Sequence, residues 1–145
     1  MSKETPTARR RLMQYLLAYF ITAIIFLGID FVWLGLVATK FYKSQIGVLM
    51  KDQPNLAVAA IFYLVYVVGL IIFAVAPALK EESWQHALFF GALFGLFAYA
   101  TYDFTNLATL KGWPVKVVVV DVLWGTTLSG IASLGGYLIT RNFMG

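Results

Sequence analysis

Four apolar stretches, roughly Leu12 to Thr39, Leu56 to Leu79, Ala87 to Leu110 and Val115 to Ile139, decide what this chain can fold into. Each is long enough to cross a hydrocarbon core of about 30 Å as a helix. Segments such as LFFGALFGLFAYA and VGLIIFAVA are apolar on every side, whereas a helix in water keeps one polar face. Nor do these runs alternate as the strands of an outer-membrane barrel do, so the backbone must satisfy itself within helices. The expected fold is all-α, an integral membrane bundle of four transmembrane helices over residues 12–140, with both termini on the same side and a basic tail at residues 1–11. With 61% of the 145 residues hydrophobic and 12% charged, no room remains for a soluble domain.

The tail MSKETPTARRR has the charge of a signal-peptide start, but the apolar run behind it is too long, carries Asp30 and offers no small-residue cleavage site. An uncleaved first span is expected. Basic residues are scattered over tail and loops, which excludes nucleic acid as a partner. Arg9, Arg10 and Arg11 beside the first span favour cytoplasmic termini. Lys40 to Asn55 then forms a loop on the opposite side, together with the short Lys111 to Pro114 turn. Pro54 and Asn55 suit a helix start, as does Pro114, while Trp84 and Trp113 fit opposite headgroup layers.

Three aspartates, Asp30, Asp103 and Asp121, interrupt the apolar spans. Counted from the loop-rich end, they lie about nine, seven and seven residues inward, roughly 10 to 14 Å along their helices. Tyr63 on the second span falls in the same layer, accompanied by Tyr66. Asn106 and Tyr99 share a helix face with Asp103, and Tyr102 is close by. The first and fourth spans echo each other, Asp30-Phe31-Val32-Trp33 and Asp121-Val122-Leu123-Trp124. The shared spacing suggests an indole packed beside a carboxylate in both. No Lys or Arg lies deep in a span to neutralise the acids. Asp30, Asp103, Asp121, Asn106, Tyr63, Tyr99, Trp33 and Trp124 are therefore the candidate polar site.

Gly91 and Gly95, extended by Ala87, face a second small-residue series at Gly125, Ser129 and Ser133. Such surfaces let helix backbones approach closely, within one chain or across a homo-oligomer. Lysines at 40, 43, 51, 111 and 116 rim the mouth of the acidic layer and suit anchoring to lipid headgroups. His86 falls near the other membrane face, too far to complete a metal site with the aspartates. No cysteine, Ser–His pairing or phosphate loop is present, and no cofactor or metal is expected.

The segments Ile29 to Gly35, Tyr99 to Thr109 (YATYDFTNLAT) and Lys111-Gly112-Trp113-Pro114, followed by Asp121 and Trp124, resemble the DUF2177 family of small bacterial membrane proteins of unknown function. The resemblance covers roughly Leu12 through Ile139. It implies four helices in a bacterial inner membrane and transfers no reaction, ligand or residue role. On the residues alone, the leading expectation is an intramembrane acidic and aromatic cleft that binds or transports a small cation, proton or amphipathic substrate. The alternatives are a membrane enzyme acting on a lipid or isoprenoid through paired carboxyls, and a non-catalytic assembly factor. Membrane lipid is the expected partner in every case.

Overall fold

The computed structural model describes residues 7–144, which form four long helices and no strand among those described. The spans are Ala8–Leu49, Leu56–Glu81, Trp84–Thr109 and Val115–Met144. Polar side chains start three of them. Thr7 Oγ1 accepts from the Arg10 amide at 3.2 Å, Asn55 Oδ1 from that of Val58 at 3.2 Å, and Ser83 Oγ from that of His86 at 3.1 Å. Each bond meets one of the amides that a helix start leaves unpaired. Glu82, in the left-handed region at φ 53°, closes the second span. Gly112, at φ 74°, turns the chain before Pro114 restarts it.

The first span differs from the expected loop at residues 40–55, because the helix runs on through Leu49. No glycine or proline lies between Leu36 and Ile46 to stop it. At about 1.5 Å per residue, its 42 residues outrun the about 40–45 Å of a bilayer with headgroups. A wide π turn at Leu34–Ala38 adjusts the helix on the way, with Thr39 Oγ1 donating to the Leu34 carbonyl. A second π turn at Ile71–Val75 interrupts the second span.

Packing centres on the third and fourth spans. The buried row Ala87, Gly91, Gly95 and Asp103 repeats at multiples of four residues, and Gly125, Ser129, Ser133 and Tyr137 do the same in the opposite direction. A Cβ on Gly91 would lie 2.5 Å from Ser133 Oγ, and one on Gly95 2.6 Å from Ser129 Oγ. Glycine is thus required for these backbones to meet. Gly91 and Gly95 are consumed by packing within the chain.

The first span presents Ala18, Thr22, Phe26 and Asp30, again four apart, and Thr22 sits against Gly136 of the fourth. Tyr66, Val67, Leu70 and Val75 of the second span complete the core around Phe26, Leu128 and Tyr137. The outer surface carries exposed Phe20, Ile24, Phe31, Ile61, Phe89, Phe97 and Leu123. Apolar exposure on this scale belongs against lipid. The protein is an all-α, four-pass membrane bundle.

Candidate functional site

The third and fourth spans change character toward the loop-rich face while keeping their register. Below, glycine meets serine. Above, Tyr99 lays its ring over Gly125, where a Cβ would overlap it, and Asp103 comes beside Asp121. The two helices stay in close contact here, burying Asp103, and space opens beside them, toward the first and second spans.

That space is a cavity of about 230 Å³. Asp30, Trp33, Tyr63, Tyr99, Asp121 and Trp124, six of the residues expected to form the site, line it. Asp30 is only 5% exposed, and its Oδ1 accepts from Trp124 Nε1 at 3.1 Å. The Trp124 ring stacks on Trp33, with centroids 4.4 Å apart and planes 13° from parallel. The two Asp-Trp motifs therefore interlock across helices: the indole after Asp121 serves Asp30, and the indole after Asp30 braces that indole.

Asp103 and Asn106 lie outside the lining. Asp103 is fully buried, and neither carboxyl oxygen has a hydrogen-bond partner. Its acidic neighbour is Asp121, which belongs to the cavity wall. Asn106 stands beside Tyr102 on the flank of the site.

Two further wall residues are Tyr42, which falls in the loop expected from Lys40 to Asn55, and Trp113, expected in a headgroup layer. The helical continuation of the first span explains Tyr42. Phe41, Tyr42 and Ile46 pack on Trp113, Val117 and Val118, which swings the Tyr42 hydroxyl inward to donate to Asp121 Oδ1 at 2.7 Å. Trp113 is 8% exposed and meets Tyr102 edge-on at 5.9 Å between centroids. The absence of helix breakers after Thr39 was the available sequence signal for Tyr42. Nothing local distinguished Trp113 from an interfacial anchor.

Beside the cavity lies a groove of about 760 Å³. It exists because the second span packs on the third mainly through its later half, Ile71–Val75 and Ala76–Glu81, while Leu56–Leu70 leans on the first span. Val58, Phe62, Tyr66 and Ala98 give it an apolar wall. Met50, Tyr63, Tyr99, Tyr102 and Asp121 border both spaces. An apolar groove thus adjoins an acidic chamber, the layout that suits a molecule with a tail and a polar head.

Among the described residues, no Lys or Arg forms an ion pair with these acids, and no three His, Cys, Asp or Glu side chains stand in a metal-holding group. His86 is occupied elsewhere, 3.3 Å from Glu81 and stacked on Phe90.

A family model described as "Predicted membrane protein (DUF2177)" matches residues 15–138, a range that contains every residue of the cavity wall. No curated protein and no solved structure matches the chain.

Proposed function

The chain belongs to the DUF2177 family of predicted membrane proteins, and from that premise we propose that it binds an amphipathic molecule, apolar tail in the groove and cationic head in the acidic cavity. The observation that carries this reading is the shared border, where Tyr63, Tyr99 and Asp121 wall both spaces. A cationic head would meet Asp30 and Asp121, which have no basic partner among the described residues. Aromatic faces around it add cation–π attraction. Tyr42 and Trp124 hold the two carboxylates in place.

Asp103 adds a second element to the proposal. A carboxylate buried with neither oxygen bonded is costly, and a proton or small cation shared with Asp121 relieves that cost. Because Asp121 also walls the cavity, an arriving cationic head competes for the same carboxylate. Transport of the bound molecule would add a homo-oligomer, since one four-helix copy is cramped for a path. The basic cluster Arg9 to Arg11 supports termini facing the cytoplasm of a bacterial inner membrane.

Titrating the detergent-solubilised protein with dodecylamine and with dodecanol, read by tryptophan fluorescence, tests the assignment. The amine should bind about tenfold or more tightly than the alcohol, a charge-assisted contact's worth, and Asp121→Asn should erase the preference. Equal affinities in the wild type would sink the reading.

An enzyme acting on a lipid or isoprenoid is the second reading, favoured by two carboxylates, Asp30 and Asp121, in one chamber at the side of a groove wide enough for a chain. One could donate a proton while the other accepts. Comparing the lipids of a deletion strain with those of strains restored by wild type or by Asp30→Asn checks this. A species altered by deletion and rescued by wild type alone supports turnover, and an identical lipid profile in all three contradicts it.

A further inference from the structure

At the opposite end of the bundle, where the first and fourth spans carry their termini, lies a separate recess of about 370 Å³. Arg10 and Arg11 enter it from the first span and Arg141 from the fourth, with Gln14 and Tyr137 beside them and Glu82 contributed by the turn that ends the second span. Three guanidiniums thus face one carboxylate. Among the described residues, none of the three makes an ion pair.

Two contacts give the recess a defined shape. Arg10 Nη2 donates to the Met144 carbonyl at 3.2 Å, tying the first span to the end of the fourth. Arg141 Nη1 reaches the Tyr137 hydroxyl at 3.5 Å. Tyr137 is fully buried, so it forms a fixed floor on which the Arg141 fork rests. Each guanidinium carries five N–H donors in a planar fork, and these contacts use only a fraction of them. Arginine forks gathered around one recess suit the tetrahedral oxygens of a phosphate, which they bind by paired, charge-assisted hydrogen bonds.

The position favours the same chemistry. Arg10 and Arg11 open the first span and Arg141 lies in the last turn of the fourth, so the recess sits at headgroup level. Leu79 and Met144 edge it with apolar surface, where an acyl chain could continue from a headgroup. A cation in the last turn of a helix is also well placed against that helix's dipole.

We propose that Arg10, Arg11 and Arg141 form a binding site for an anionic phosphate group, and that the bound phosphate cross-links the first and fourth spans. The site is separate from the acidic cavity and does not depend on what binds there. A negatively charged phospholipid headgroup and free phosphate share the required chemistry, so the source is an experimental question. Basic recesses between transmembrane helices recognise anionic headgroups in this way.

Thermal unfolding of the full chain in an uncharged detergent, with added short-chain phosphatidylglycerol, short-chain phosphatidylcholine or inorganic phosphate, reads the site. Ligand bound to the folded state alone raises the midpoint. Phosphatidylglycerol should raise it and phosphatidylcholine should not. An equal rise with inorganic phosphate would support the site and assign it to the free anion. Removing two forks together, Arg11→Gln with Arg141→Gln, should weaken the apparent affinity at least about tenfold. Should that variant not fold, Arg141→Lys keeps the charge, removes the fork, and should still weaken binding. Arg9→Gln, outside the recess, should leave the response intact. The proposal is overturned by no rise with either anion, by an equal rise with phosphatidylcholine, by a response that survives loss of the forks, or by one that Arg9→Gln abolishes equally.

Discussion

The two ends of the seam between the third and fourth spans use one register for opposite purposes. On the terminal side Gly91 meets Ser133 and Gly95 meets Ser129, leaving no space for a Cβ. On the loop-rich side the same rows carry Tyr99, Asp103 and Asp121, and space opens beside them. Side-chain size along an unbroken four-residue repeat separates the packed half from the cavity half. The buried row of the first span runs from Ala18 through Thr22 and Phe26 to Asp30 at the cavity.

The largest effect is expected where the packed half is forced apart. Gly95→Val drives a branched side chain into the Gly125 carbonyl and Ser129 and should cost about 3 kcal/mol or more, measured by unfolding in detergent. Gly125→Ala probes the boundary, since its Cβ would strike the Tyr99 ring. A loss of about 1–3 kcal/mol is expected, together with altered amine binding, because Tyr99 walls both spaces. Unchanged stability and binding in this variant would mean that the Tyr99 ring does not lie over Gly125.

In the cavity half, the Tyr42–Asp121 bond should show a coupling of about 1 kcal/mol in a Tyr42→Phe/Asp121→Asn double-mutant cycle. No coupling would place Tyr42 away from the site. Asp103→Asn should leave stability unchanged or raise it slightly, because it removes a buried acid and its amide N–H can donate to Asp121 in place of a shared proton or cation. A large loss would instead mark Asp103 as a structural bond-maker. The smallest effect belongs to Gly28→Ala, which meets nothing within 4 Å and should stay within about 0.5 kcal/mol of wild type.

Much of this was legible in the sequence, for physical reasons that can be named. Apolar runs long enough to cross the hydrocarbon core leave helices as the only solution, and fixed helical rise puts Asp30, Asp103, Asp121 and Tyr63 in one layer. The four-residue spacing of Gly91, Gly95, Ser129 and Ser133 likewise revealed the seam. Hidden from view were features that depend on how helices are rotated against one another. Local spacing put Trp124 on the face of Asp121, whereas its indole nitrogen reaches Asp30 on another helix. Lys40 to Ile46 has the polarity of a loop, and only packing on Trp113 makes it a helix that delivers Tyr42. Asp103 and Asn106 share a face with Tyr99, but the close approach of the fourth span buries Asp103 behind the cavity wall. The basic recess joins residues from both ends of the chain, a proximity that no short motif announces.

On the proposed reading, the cavity and groove together hold a tail-and-head molecule. Determining the structure of the protein in lipid nanodiscs, with dodecylamine present, tests this most directly. The expected result is elongated density along Phe62, Tyr66 and Ala98, ending in a head near Asp121 and Asp30. A second span closed against the third along Leu56–Leu70, with the aspartates bonded only to protein groups, would contradict it.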